Sequence, residues 1–72
     1  MNAIPAMFKI QAPRMYFYKV VTVQHGTEYK ATEELARELS GNYHAKGYEV
    51  ELYDLEGKLI AYSNASTWCE IA

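Results

Sequence analysis

A single segment with helical periodicity, residues 32–45, lies between two segments that have the residue pattern of β-hairpins. Because a lone amphipathic helix has to bury its apolar stripe against another element, this order predicts a helix packed on one face of a β-sheet. Thr32 is suited to cap the helix and Gly47 to end it, although Gly41 is an earlier candidate stop. The helix is therefore expected near residues 33–45. Its apolar stripe consists of Leu35, Ala36, Leu39 and Tyr43.

The segment before the helix, residues 15–31, is rich in aromatic and β-branched residues, which favour strands. Strands are predicted at residues 15–24 and 27–31, joined by a two-residue turn at His25-Gly26. This turn would determine which side chains share a face of the sheet. The expected pairs are Thr22 with Tyr29 and Val20 with Ala31 on the helix side, and Val21 with Lys30 and Val23 with Glu28 on the other side.

The segment after the helix alternates between apolar and polar residues over positions 48–54, which is typical of a half-buried strand. Further strands are predicted at residues 58–63 and 67–71, with Gly57 in the left-handed position of a type I turn. The predicted fold is thus α+β (ββαβββ), with a single helix packed on one face of a mainly antiparallel four- to five-stranded sheet. The second hairpin is expected to pair Leu52 with Ile60, Val50 with Tyr62, Tyr53 with Leu59 and Glu51 with Ala61. The expected core residues are Tyr18, Val20, Leu35, Leu39, Val50, Leu52, Ile60 and Tyr62.

The length of 72 residues predicts one domain. Residues 1–14 contain both prolines and are interpreted as a tail, in which residues 7–11 are suited to an edge strand, and residues 15–72 form the domain. The single cysteine, Cys69, excludes an internal disulfide, so self-association or docking to a partner is the expected reinforcement of a small core. A lone thiol and the absence of a long apolar run predict a cytoplasmic protein that does not enter the membrane.

Residues with catalytic or metal-binding potential are few and scattered. His25, His44 and Cys69 lack the spacing of a zinc site, and no nucleophile stands beside a base and an oxyanion donor. The chain is therefore predicted to be no enzyme, with no catalytic residue, metal or cofactor. The net charge of −2 argues against nucleic-acid binding. The seven tyrosines nevertheless leave single-stranded nucleic acid as a weaker alternative partner.

The first strand is apolar on both sides, which predicts a second apolar surface away from the helix. An apolar centre inside a polar rim is the usual anatomy of a protein–protein interface. We therefore expect this surface to bind a second copy or another protein, whereas the alternative is that residues 1–14 fold over it. The expected partner-binding centre is Phe17, Val21, Tyr53 and Leu59, and the expected rim is Lys19, Glu28, Lys30, Glu49 and Glu51.

Over residues 16–63 the chain resembles a recurring type of small phage-encoded protein. The resemblance lies in an aromatic-rich hairpin (YFYKVVTVQHGTEYKA), a T-E-E-x-A helix (ATEELARELS), a K-G-Y-E-V strand and a G-K-L-I-A-Y strand. Several anti-CRISPR proteins and a small phage inhibitor of bacterial RNA polymerase have this build. The resemblance implies stoichiometric inhibition of a host protein complex, with a small homo-oligomeric adaptor as the alternative. It implies no functional residue, because the partners of such proteins differ.

Overall fold

A computed structural model describes residues 17–71 of the chain. The elements are β1 (Tyr18–Thr22), β2 (Gly26–Lys30), α1 (Glu33–Ala45), β3 (Val50–Tyr53), β4 (Leu59–Ser63) and β5 (Trp68–Glu70). The strands form one antiparallel sheet in the order β2-β1-β3-β4-β5, and α1 contacts β1, β2 and β3. The predicted α+β fold with one helix on one face of the sheet is confirmed. The predicted tail at residues 1–14, with its edge strand, lies outside the described residues.

Helix α1 begins where the sequence predicts. The Thr32 hydroxyl accepts a hydrogen bond from the backbone N–H of Leu35 at 3.2 Å, which satisfies one of the free donors of the first turn. Glu33 lies in the same turn and accepts from Nε of Arg37 at 2.8 Å, one helical turn along. The N-terminus is therefore determined by contacts within five residues of sequence.

The C-terminus of α1 is closed by Gly47, which has a positive φ of 86°. Its N–H donates to the carbonyl of His44 at 2.9 Å, and the N–H of Tyr48 donates to the carbonyl of Tyr43 at 3.1 Å. This pair of bonds is a Schellman motif, and the rings of Tyr43 and Tyr48 supply its usual apolar contact at 5.8 Å between centroids. Gly41, the earlier candidate stop, lies inside the helix.

The two-residue turn predicted at His25-Gly26 is wrong. Residues 23–25 form the loop, and Gly26, with φ of 72°, already pairs with Thr22. The Thr22 hydroxyl accepts from the N–H of His25 at 3.0 Å and so closes the longer loop from inside. The pairing is displaced by three residues from the prediction, and an odd displacement exchanges the two faces of β2. The observed pairs are Tyr18 with Lys30, Lys19 with Tyr29, Val20 with Glu28 and Val21 with Thr27.

The second hairpin has the predicted turn. The N–H of Gly57 donates to the carbonyl of Asp54 at 3.0 Å, and Gly57 takes a φ of 80°. The carboxylate of Asp54 also accepts from the N–H groups of Glu56 and Lys58, each at 2.9 Å. Asp54 thus organises the loop through its own side chain.

A β-bulge changes the register beyond that turn. Tyr53 pairs with Leu59 as predicted, but the register shifts between Leu52 and Tyr53, so that Ile60 is the extra residue. The remaining predicted pairs are therefore wrong. The observed pairs are Leu52 with Ala61, Glu51 with Tyr62 and Val50 with Ser63.

The core lies between α1 and the central strands. Its buried apolar members are Val20, Ala36, Tyr43, Val50, Leu52 and Ala61, with Tyr18, Leu39, Tyr48, Ile60 and Trp68 partly buried around them. Two predicted core residues are wrong, because Leu35 is 47% exposed and Tyr62 is 41% exposed. The bulge turns Tyr62 to the other side of the sheet. Leu35 is displaced because α1 approaches the sheet along its small residues, Ala36 and Ser40, which are fully buried.

Replacement of Leu52 by alanine is expected to lower the free energy of unfolding by about 2–4 kcal/mol, because Leu52 is fully buried and leaves a cavity in a small core. Urea denaturation measures this change. Leu55 in the second hairpin loop is 37% exposed and serves as the control, since Leu55→Ala should change stability by only about 0.5 kcal/mol. Equal losses in the two variants would contradict the position of the core.

The two glycines near the end of α1 should respond to alanine in opposite directions. An added Cβ meets no heavy atom within 4 Å at either position, so backbone conformation alone decides the effect. Gly41→Ala should stabilise the protein by about 0.5–1 kcal/mol, because alanine favours the helix interior. Gly47→Ala should destabilise it by about 1–2 kcal/mol, because φ is positive there. Thermal unfolding of both variants checks the pair, and a shift of the same sign in both would place the helix end elsewhere.

Candidate protein-binding face

The side of the sheet opposite α1, here called the outer face, is built from two rows of paired residues that cross the strands. The first row is Tyr29, Lys19, Tyr53 and Leu59, and the second is Thr27, Val21, Glu51, Tyr62 and Cys69. Phe17 lies beside Tyr29, with ring centroids 6.4 Å apart in an edge-to-face arrangement. No helix or strand of residues 17–71 packs on this face. It is therefore an aromatic and aliphatic surface on the side of an antiparallel sheet that is usually polar.

The four residues predicted to bind a partner all lie on this face. Phe17 is 47% exposed, and Val21, Tyr53 and Leu59 are half-buried by their neighbours on the same surface. The register of the first hairpin does not alter their position, because none of the four belongs to β2: Phe17 directly precedes β1, and the other three lie in β1, β3 and β4. Sequence reasoning missed Tyr29 and Tyr62, which the two register differences bring to the same surface.

The predicted rim is correct in part. Lys19, Glu49 and Glu51 do lie on the outer face, but Lys19 and Glu51 stand near its centre, beside Tyr53, and not at its border. Glu28 and Lys30 do not, because the longer first loop turns both of them to the helix side, opposite Val20 and Tyr18. The loss of these two charges leaves the outer face with more aromatic surface and fewer charges than the sequence predicted.

The centre of the outer face is ordered by two contacts of Tyr53. The ammonium group of Lys19 lies 4.4 Å from the centroid of the Tyr53 ring, which is a cation–π contact. The Tyr53 hydroxyl donates to Oε1 of Glu51 at 2.8 Å. This hydrogen bond is the main reason why the pKa of Tyr53 is raised above its usual value, with partial burial as the second cause. The ring is thus held in position before any partner arrives.

A shallow depression of about 500 Å³ lies next to this centre. Its acidic lining comes from Glu49 and Glu51, and its apolar lining comes from Val21, Val23, Val50, Leu59 and Tyr62. A depression with an apolar lining and a few polar groups is suited to receive a side chain of a partner.

Two polar clusters on the helix side hold α1 to the edges of the sheet. At one edge the Tyr43 hydroxyl donates to the Glu28 carboxylate, which raises the pKa of Tyr43 to about 12. The His25 ring stacks on Tyr43 with centroids 4.8 Å apart, so that the first hairpin loop packs against the helix. Tyr43 is buried, Glu28 is partly buried and His25 is exposed, and these contacts are explained by the packing of the fold.

At the other edge Arg37 binds both carboxylate oxygens of Glu70 in β5, at 2.6 and 3.1 Å. The indole N–H of Trp68 donates to the same carboxylate at 2.7 Å. The pKa of Glu70 is lowered, first by Arg37 and then by Trp68, because both donors favour the charged form. This cluster joins the short edge strand to the helix.

The residues considered for metal binding lie apart. His25 stacks on Tyr43, His44 contacts the Trp68 ring at 5.8 Å between centroids, and Cys69 pairs with Tyr62 on the outer face. Within residues 17–71, no three His, Cys, Asp or Glu side chains are grouped so that they could hold a metal ion. The same part of the chain has no helix with the length and apolar character required to cross a membrane.

The hydrogen bond between Tyr53 and Glu51 predicts a measurable pH effect. Glu51→Gln should lower the pKa of Tyr53 towards its usual value of 10, because it removes the charged acceptor of the Tyr53 hydrogen bond and with it the negative charge that opposes ionisation. In the parent protein the Tyr53 hydroxyl can donate this bond only while it is protonated, so the bond is lost as the pH rises through the folded-state pKa of Tyr53. Titration of the tyrosine Cζ resonances by NMR measures the change. Glu49→Gln is the control, and an unchanged Tyr53 pKa in Glu51→Gln would contradict the contact.

Comparison with known proteins found no match, whether to a family model, to a curated protein or to a solved structure. The resemblance to small phage-encoded inhibitors therefore stays a prediction from the sequence motifs.

Proposed function

We propose that the protein is a small non-catalytic binding module that docks on another protein through its outer face. The observation that supports this function is the concentration of Phe17, Tyr29, Tyr53, Leu59 and Tyr62 on one side of the sheet. Contiguous apolar surface on a small protein usually marks an interaction site. Tyrosine in particular is frequent among the residues that contribute most to binding energy.

The side chains of the outer face are held in fixed positions, which favours binding. Tyr53 is held by Lys19 on its ring and by Glu51 on its hydroxyl, so that little side-chain entropy remains to be lost on association. Phe17 and Tyr29 are already in contact with each other. A partner therefore meets a largely preformed surface.

Docking would also supplement a small core. A domain of this length buries a modest fraction of its surface, and a ligand that binds only the folded state stabilises that state by mass action. The resemblance over residues 16–63 supports a host protein complex as the partner, with the chain acting as a stoichiometric inhibitor encoded by a phage or mobile element. A cytoplasmic setting belongs to this proposal, because the lone thiol of Cys69 suits a reducing compartment.

Leu59→Asp and Tyr53→Asp are each expected to weaken association with the partner by at least about 2 kcal/mol, because each places a charge in the apolar centre of the interface. Affinity capture from host lysate with mass spectrometry identifies the partner, and surface plasmon resonance with that purified partner measures the affinity of each variant. Size-exclusion chromatography of the parent protein tests for self-association.

Leu35→Asp is the matched control for Leu59→Asp. Leu35 is also a large exposed apolar residue, but it lies on α1, on the other side of the sheet. Circular dichroism verifies that all variants are folded. If Leu59→Asp and Tyr53→Asp bind the partner as tightly as Leu35→Asp does, the outer face is not the binding surface.

A further inference from the structure

Glu51 occupies the middle of the outer face. It belongs to β3, the central strand of the five, and pairs with Val21 on one side and with Tyr62 on the other. Glu49 lies two residues earlier in the chain, and both carboxylates line the depression beside Val23. Any protein that covers the apolar centre therefore also covers at least one carboxylate.

The charge of these carboxylates is not balanced within residues 17–71. Neither Glu49 nor Glu51 forms an ion pair in this part of the chain, whereas the ion pairs that do form belong to Arg37 on the helix side. Glu51 accepts a single side-chain hydrogen bond, from Tyr53 to Oε1. The neighbouring cation, Lys19, is directed at the Tyr53 ring.

The burial of a carboxylate without a compensating charge is strongly unfavourable. A partner that excludes water from Glu51 must therefore supply a cation or several hydrogen-bond donors at that point. Lysine and arginine suit both the apolar and the acidic lining of the depression, because their aliphatic stems pack on apolar side chains while the charged group reaches the Glu51 carboxylate. The arrangement of Val21, Leu59 and Glu51 is complementary to such a side chain.

A second copy of the chain is a poorer occupant. Within residues 17–71, each outer face contributes the carboxylates of Glu49 and Glu51 and, as a cation, the ammonium group of Lys19, which already contacts Tyr53. Two such faces brought together would have an excess of negative charge at the interface. Like charges in an interface oppose association with the wrong partner.

We propose that the depression of the outer face receives a basic, partly apolar peptide segment of a partner protein, with a lysine or arginine over Glu51 and Glu49 and an apolar side chain between Val21 and Leu59. This inference rests on the proposed function and adds the chemical class of the partner surface. Electrostatic attraction of this kind accelerates association and weakens as salt is added.

Fluorescence anisotropy of the full chain with labelled peptides tests the proposal. The probe contains lysine and leucine in equal numbers, one comparison peptide has glutamate in place of each lysine, and another has serine in place of each leucine. The lysine–leucine probe should bind at least about tenfold more tightly than either comparison peptide, and its affinity should fall as salt is raised.

Variants of the protein locate the peptide. Glu51→Lys should weaken binding of the lysine–leucine probe by at least about tenfold, and Glu51→Gln should weaken it less, because it removes the charge without reversing it. Glu38→Lys makes the same change of charge on the exposed side of α1 and should leave the affinity within about twofold, since distant surface charges are screened. Circular dichroism verifies that each variant is folded. If Glu51→Lys does not fold, weaker binding of the probe by Glu51→Gln than by Glu38→Lys is the test of the site.

The outcomes separate this inference from the proposed function. The inference is wrong if the glutamate peptide binds as tightly as the lysine peptide, if no peptide binds, or if Glu51→Lys and Glu38→Lys have the same effect. In those cases a loss of partner binding in Leu59→Asp would still leave the outer face as a docking surface for a partner of other chemistry. If Leu59→Asp binds the captured partner normally, the proposed function itself fails.

Discussion

The close approach of α1 to the central strands is the contact on which the rest of the structure depends. Ala36 and Ser40 are fully buried, and their small side chains allow the helix backbone to lie near Val20 and Leu52. The Ser40 hydroxyl donates to the carbonyl of Ala36 at 2.8 Å, so that a polar group in this tight contact is satisfied without a partner from the sheet. Larger residues at these two positions would separate the layers and expose a core that is already small.

Polar contacts at the two edges of the sheet fix the orientation of the helix. Tyr43 reaches Glu28 in β2, and Arg37 reaches Glu70 in β5, so that α1 is tied to both edge strands. Exposed ion pairs contribute little to stability, about 1 kcal/mol or less, and the Arg37 cluster matters more for position than for energy. The edge strand β5 is only three residues long, and this cluster, together with the contact between His44 and Trp68, connects it to the helix.

The concentration of structural contacts on the helix side has a consequence for the outer face. The core and both polar clusters use side chains that point towards α1, so that the aromatic residues of the outer face are not required for that packing. Tyr53 and Glu51 instead organise each other and Lys19 into one connected group. A surface that is ordered but not used by the fold is suited to recognition, and its central carboxylate makes that recognition selective for charge.

The sequence by itself determined the local features of this protein. The bounds of α1, the cap by Thr32, the Schellman motif at Gly47 and the turn at Gly57 depend on hydrogen bonds between residues close in the chain. Four of the outer-face residues were also predictable. Val21, Tyr53 and Leu59 lie in strands whose apolar pattern is clear, and Phe17 directly precedes the first of them.

Only the tertiary structure decided the registers. The first hairpin has a three-residue loop before Gly26, and the second has a bulge between Leu52 and Tyr53. Both are small departures from a regular hairpin, yet they move Tyr29 and Tyr62 to the outer face and Glu28 to the helix side. A slip by an odd number of residues exchanges the faces of a strand at almost no local cost. In the observed register the helix packs on Val20, Leu52 and Ala61, and the Glu28 carboxylate accepts a hydrogen bond from the Tyr43 hydroxyl. These contacts connect residues that are far apart in the chain, so local sequence patterns do not reveal them.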